Sequence, residues 1–245
     1  MPLSALTTAA LAAWPEPVAE PALLAALAAP ALALVYQARI TAPPGPLRSL
    51  AKTGSVWALA LAAHLGGAPA ALVLALTLCG LGDLCLSRVG ARAFALGVGW
   101  FAAGHLAYAA LFLTRPESAP AQLAAGAAPG LALALVALGL AMARALAARA
   151  GPLKRPVIAY VPVILAMALA ALSLPRSGAL ALALPAALAF LVSDMALAAE
   201  RFLLAPGGRA ARLAGALVWP LYWGAQAGFT LAFTPALWRA LTQAA

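Results

Sequence analysis

Long apolar stretches alternate with short polar breaks along the 245 residues of the chain. A helix needs about 20 mostly apolar residues to cross the roughly 30 Å of hydrocarbon in a bilayer. By this measure the pattern predicts eight transmembrane helices, which fall near residues 20–38, 50–65, 69–87, 93–114, 121–146, 156–174, 178–199 and 213–235. The breaks combine Pro or Gly with charge, as loops do. We therefore expect an all-α polytopic membrane protein, a bundle of eight transmembrane helices in which residues 1–245 form a single integral membrane domain.

The composition excludes a water-soluble globular protein. Hydrophobic residues make up 66% of the chain and charged residues only 9%, so its helices have almost no polar face to turn toward water. Residues 1–13 are apolar but have no basic residue before the apolar run. The sequence therefore does not support a cleaved signal peptide.

The basic residues predict an orientation in the membrane. Twelve of the 15 Lys and Arg residues lie in or beside the loops after predicted helices 1, 3, 5 and 7. They are Arg39, Arg48, Lys52, Arg88, Arg92, Arg144, Arg149, Lys154, Arg155, Arg201, Arg209 and Arg212. Because basic loops stay in the cytoplasm, we expect both termini outside, in a bacterial inner membrane. The net charge of +9 is explained by orientation and anionic lipid headgroups, so membrane lipids and no nucleic acid are expected as partners.

Two of the six acidic residues, Asp83 and Asp194, lie inside predicted helices. A charge at mid-helix costs about 2.5 to 3.5 kcal/mol on insertion scales, so such an acid usually faces a polar interior and has a function. Asp83 precedes Arg88 by five residues, and Asp194 precedes Arg201 by seven. At 1.5 Å per residue, both lie about 7 to 10 Å inside the cytoplasmic helix ends. Their equal depth on parallel helices is a requirement for a shared site; the alternative is a packing hydrogen bond for each.

Other polar residues fall at similar or greater depth and predict a cavity open toward the cytoplasmic leaflet. As residues lining this cavity we select Lys52, His105, Tyr108, Tyr160, Ser193, Tyr222 and Gln226. Some have ordinary structural alternatives. His105 also fits a packing residue, Tyr222 an interfacial aromatic and Gln226 an interhelical hydrogen bond.

The residue inventory excludes several other kinds of site. Only two histidines occur, so a three-histidine zinc site is impossible. Cys79 and Cys85 are six residues apart on one predicted helix, too far for a disulfide. No nucleotide-binding or nucleophile-elbow motif appears, and we expect neither a cofactor nor a metal.

Five short motifs, "GDLCL", "FALGVGWFAAGHLAY", "YVPVILAM", "FLVSD" and "YWGAQ", occur in an order and spacing that resembles the YhhN family of membrane lysoplasmalogenases. The resemblance extends from about Lys52 to Gln226. The chain departs from the family pattern at "AKTG", where Lys-Pro is usual, and at Trp223, where a second tyrosine is usual. Both aspartates match.

The resemblance implies an ether hydrolase that cleaves the vinyl ether of lysoplasmalogen to a fatty aldehyde and glycerophospho-ethanolamine or -choline. That chemistry needs a general acid to protonate the β-carbon and water to attack the resulting oxocarbenium ion. Asp83 and Asp194 suit it as catalysts, one protonated and one ionised in a low-dielectric site. The residues do not decide which is which. A loop cation such as Arg88, Arg92 or Lys52 would hold the phosphate.

The alternative from the sequence is a proton-coupled lipid or small-solute transporter, in which the same acids relay protons. Predicted helices 3 and 7 carry acids at matching depth, as an internal repeat would, although the two halves share little sequence. A lipid-binding protein without chemistry is disfavoured by the two matched acids.

Overall fold

The computed structural model of the protein describes residues 20–243, and every regular element in that part of the chain is helical. The expectations about residues 1–13 and the amino terminus therefore lie outside the described residues. The α-helices are α1 (Glu20–Ala38), α2 (Pro46–Leu65), α3 (Ala70–Leu86), α4 (Ala91–Thr114), α5 (Ala128–Arg149), α6 (Lys154–Ala171), α7 (Ala183–Ala198), α8 (Arg209–Phe233) and α9 (Pro235–Gln243).

Each of the eight helices predicted from hydropathy coincides with one of α1 to α8, but several predicted ends are wrong. The fifth was predicted from residue 121, whereas Pro120–Ala124 forms a 3₁₀ turn and α5 begins only at Ala128. Gly126 separates them with a φ of 57°, a left-handed conformation that glycine adopts without strain. The seventh was predicted from residue 178, but Gly178–Leu182 is a second 3₁₀ turn. Smaller shifts, of up to four residues, occur at ends of α2, α3, α4, α6 and α8.

The short helix α9 has no counterpart in the prediction. The eighth helix was predicted to continue to residue 235, but α8 ends at Phe233 and α9 begins at Pro235. Proline has no backbone N–H to continue the hydrogen-bonding of the preceding helix, which makes this position a natural break.

In the described part of the chain, five segments are long and apolar enough to cross a membrane. They are Glu20–Ala38, Ala91–Thr114, Ala128–Arg149, Gly151–Ala171 and Gly178–Leu203. Helix α3 is apolar but has only 17 residues. The total of eight spans stays a prediction. Leucines on the bundle surface, including Leu27 at 68% exposure and Leu133 at 71%, give it the apolar exterior of a protein that contacts lipid.

Close packing of α3 against α4 fixes the side of the bundle that carries Asp83. A Cβ added at Gly104 of α4 would lie 2.6 Å from the Sγ atom of Cys79 in α3 and 3.3 Å from the carbonyl oxygen of Ala75. Helix α8 closes the bundle by packing against α2, α3 and α7. This arrangement brings α2, α3, α7 and α8 around one interior space.

Candidate active site

A large cavity of about 920 Å³ is lined by residues of α1, α2, α3, α4, α7 and α8. Residues of the α1–α2, α3–α4 and α7–α8 loops line it, so it opens at that end of the bundle. Both Asp83 and Asp194 lie on its wall, together with Lys52, Ser193 and Tyr222 of the predicted site. The two helices with acids at matching depth therefore bring both carboxyl groups to a single cavity.

Asp83 is held as part of an ion pair. Its Oδ1 atom lies 3.0 Å from the Nζ atom of Lys52 on α2, and the hydroxyl of Tyr222 on α8 donates a hydrogen bond of 2.5 Å to Oδ2. The Asp83 side chain is 1% exposed. The ring of Tyr36 lies 5.8 Å from the same ammonium group, close enough for a cation–π contact. A cation and a hydroxyl donor on its two oxygens stabilise Asp83 as a carboxylate.

Asp194 has different partners. The hydroxyl of Tyr160 on α6 donates a hydrogen bond to Oδ2, and the Nε2 atom of His105 on α4 lies 3.9 Å from that oxygen. Among residues 20–243, His105 is the one basic side chain within 4.0 Å of Asp194. The Asp194 side chain is 18% exposed. It thus borders the cavity without a permanent cation beside it.

The backbone determines which nitrogen of His105 faces Asp194 as an acceptor. Nδ1 lies 2.6 Å from the carbonyl oxygen of Phe101, which can only accept a hydrogen bond. The proton therefore resides on Nδ1, and Nε2 of the neutral ring keeps its lone pair. Nε2 is buried and has no hydrogen-bond partner within the described residues. His105 is fully buried and does not line the large cavity, so this nitrogen is closed off from the cavity space.

The remaining predicted residues lie away from the large cavity or use their polar groups internally. The hydroxyl of Tyr108 donates to Oε1 of Gln226, and both side chains are completely buried outside the cavity wall. Ser193 lies on the wall, but its hydroxyl donates to the carbonyl oxygen of Val218 at 2.9 Å. Whether Tyr108, Gln226 and Ser193 contact substrate stays a prediction.

Arginines surround the mouth of the cavity. The cavity-lining arginines are Arg48, Arg88, Arg201 and Arg212. Of the cations named from sequence for a phosphate, Arg88 is among them, Arg92 does not line the cavity and Lys52 is paired with Asp83. Arg48, Arg201 and Arg212 were not selected from the sequence as phosphate ligands, although all three lie near loops of one predicted side. Tyr36 and Trp219 were also missed; their rings meet edge to face on the wall, with centroids 4.3 Å apart.

Comparison with curated proteins and with solved structures finds no match to this chain. A family model described as the YhhN family matches residues 47–233, a range that includes both aspartates and every other residue selected above for the site. This range is more than half of the 245-residue chain. The chain therefore belongs to the YhhN family.

Proposed function

We propose that the protein is a lysoplasmalogenase, which hydrolyses the vinyl ether of lysoplasmalogen to a fatty aldehyde and a glycerophospho-ethanolamine or -choline. The observation that carries the proposal is the pair of carboxyl groups on one cavity wall, one ion-paired and one without a cation. Acid-catalysed hydrolysis of a vinyl ether needs a general acid, and an ionised carboxylate nearby stabilises the cation that protonation forms. The resemblance of the motifs to lysoplasmalogenases supports the same substrate.

In this mechanism Asp194 is the general acid. It gives its carboxyl proton to the β-carbon of the vinyl ether, where the electrons of the C=C bond form the new C–H bond. A lone pair of the ether oxygen completes the C=O⁺ bond of an oxocarbenium ion, and Asp194 becomes a carboxylate. We assign the acid to Asp194 because Asp83 is already stabilised as a carboxylate by Lys52 and Tyr222.

Water completes the reaction. It attacks the oxocarbenium carbon, and the proton that it releases returns to Asp194. The resulting hemiacetal then loses its hydroxyl proton, and the glycerol oxygen leaves with its bonding electrons and takes up a proton. One water is consumed for each aldehyde and alcohol formed. The carboxylate of Asp83 stabilises the positive charge of the intermediate across the cavity.

The proposed position in the membrane fits this substrate. We propose eight spans in a bacterial inner membrane, with both termini outside and the cavity open to the cytoplasmic leaflet, because the arginine-rich loops lie at the open end. The vinyl ether of a lysoplasmalogen lies just below its glycerol. Counted at 1.5 Å per residue from Leu86 at the end of α3 and Ala198 at the end of α7, the two aspartates lie about 5 to 6 Å inside the helix ends, a depth that suits this bond.

The test is aldehyde release from lysoplasmalogen by the purified protein in detergent, with Asp83→Asn and Asp194→Asn as variants. Each variant is expected to lose at least about 100-fold in turnover, the lower range for loss of acid–base catalysis. Glu117→Gln is the matched control, because Glu117 is an acid that pairs with Arg115 outside the cavity. Turnover like that of the wild type in either aspartate variant contradicts the proposed mechanism. Movement of labelled lipid across vesicles without aldehyde would instead favour the transporter.

A further inference from the structure

Asp194 lies between two cavities, only one of which is lined by arginines. One is the large cavity with arginines at its mouth. The other is a crevice of about 50 Å³ between α5, α6 and α7. Asp194 is the one residue that lines both. Both cavities therefore meet at Asp194, the aspartate that has no permanent cation beside it.

The crevice is apolar along almost its whole wall. Apart from Asp194 and Tyr160, its lining consists of hydrophobic residues and one glycine, among them Met142, Val161 and Met195. Leu138, at its edge, is 41% exposed on the outside of the bundle. The crevice thus connects the neighbourhood of Asp194 with the apolar surface that faces lipid.

The size of the crevice limits what it encloses. A water molecule takes up about 30 Å³ of liquid, so a space of this size holds only a short stretch of a hydrocarbon chain. The remainder of a longer chain would continue outward past Leu138, which is 41% exposed, into the surrounding lipid. A chain longer than the crevice can therefore bind without a larger enclosed cavity.

The large cavity complements the other half of an amphiphile. Four arginines line it near its opening, namely Arg48, Arg88, Arg201 and Arg212. Guanidinium groups bind phosphate oxygens through paired, charge-assisted hydrogen bonds. One side of Asp194 is therefore suited to the phosphate of a headgroup and the other to an alkyl chain.

We propose that a single-chain phospholipid binds across Asp194, with its phosphate in the arginine-lined cavity and the start of its hydrocarbon chain in the crevice between α5, α6 and α7. This arrangement places the bond between glycerol and chain beside the Asp194 carboxyl group. That this bond is cleaved by Asp194 rests on the proposed vinyl ether hydrolysis, whereas the binding mode does not. The position of the hydrocarbon chain in the crevice distinguishes this binding mode from one in which the chain stays inside the large cavity.

The test uses a lysophospholipid with a saturated ether chain, which is not a vinyl ether and so is not hydrolysed, and with a diazirine near the start of that chain. Photolysis followed by peptide mass spectrometry is expected to label α5 and α6 at the crevice. Labelling confined to α1, α2 and the large cavity would overturn the proposal. An analogue without the phosphate is expected to compete poorly; equal competition would contradict the arginine subsite.

A matched pair of variants tests the crevice itself. Met142→Trp fills the crevice and is expected to lower the labelling about tenfold or more, the range for disturbing a hydrophobic pocket. Leu140→Trp, on the same helix but outside the crevice, is expected to label like the wild type. Equal labelling of the two variants would overturn the proposal. If Met142→Trp does not fold, the wild-type labelling map still decides.

The outcomes separate this proposal from the proposed function. Crevice labelling in a protein that releases no aldehyde would leave the binding mode standing and refute the hydrolase. Aldehyde release without crevice labelling would refute the binding mode and leave the hydrolase standing.

Discussion

Replacing Lys52 with methionine is expected to destabilise the protein, because it leaves the Asp83 carboxylate without its cation. The Nζ atom lies 3.0 Å from Oδ1, and the Asp83 side chain is 1% exposed. Methionine keeps most of the length and volume of the lysine side chain. The variant therefore removes the charge with little change in packing.

The magnitude follows from the burial of the pair. Removing one partner of a buried ion pair costs about 3 to 5 kcal/mol. An aspartate can avoid the full cost by binding a proton, which takes about 4 kcal/mol at pH 7 for a carboxyl group of ordinary pKa, about 3.9. Because the Lys52 side chain is 13% exposed and faces the open cavity, the pair is partly screened. We expect a loss of about 3 kcal/mol in the free energy of unfolding for Lys52→Met.

The double variant Lys52→Met/Asp83→Asn isolates the pair. It replaces both charges with neutral groups, and such replacements of buried pairs are often tolerated. Reversible unfolding in mixed detergent and SDS micelles, followed by helical circular dichroism, gives the free energies. The double variant is expected to lose about 2 kcal/mol less than the sum of the two single variants. Additivity within about 0.5 kcal/mol would refute the assignment of Asp83 as an ion-paired carboxylate.

Two further predictions concern the other acid and the helix packing. Tyr160→Phe removes the hydroxyl that donates to Asp194 and is expected to lower kcat for lysoplasmalogen about tenfold, with KM nearly unchanged; an unchanged kcat would remove that hydrogen bond from the mechanism. Gly104→Ala is expected to cost about 1 to 3 kcal/mol of stability because its Cβ meets the Cys79 sulfur at 2.6 Å. Gly130→Ala, in α5 with open space around it, is expected to be neutral or slightly stabilising, as shown by thermal unfolding; equal losses in the two glycine variants would refute the close approach.

Hydropathy predicted the helices well because membrane-length apolar stretches are separated by Pro, Gly and charge. It did not predict the 3₁₀ turns at Pro120–Ala124 and Gly178–Leu182, because these turns are as apolar as the helices that follow. The helix α9 was missed because it is short and amphipathic rather than uniformly apolar. Boundaries within Ala- and Leu-rich sequence depend on backbone geometry that composition does not encode.

Depth along the helices was also predictable, since it needs only the rise per residue. Counting from Arg88 and Arg201 placed the aspartates at one level, and the structure puts both on one cavity wall. The rotation of each helix about its axis was not predictable, because Ala and Leu cover every face. For this reason the sequence left open which aspartate is the acid, and it did not predict the ion pair between Lys52 and Asp83.

Tyr222 and Gln226 show a second limit of the sequence pattern, which concerns position along the helix axis. Their spacing of four residues places them on one face of α8. One helical turn separates them along the axis, and only Tyr222 lies on the cavity wall. A shared helix face therefore did not imply a shared cavity.

The most direct test of the central claim is hydrolysis of lysoplasmalogen by the purified protein in D₂O, with the aldehyde reduced to the alcohol as it forms and analysed by mass spectrometry. Protonation of the β-carbon by an exchangeable carboxylic acid predicts a single deuterium at that carbon in every product molecule. Release of no aldehyde, or of aldehyde without deuterium at that carbon, would contradict the account.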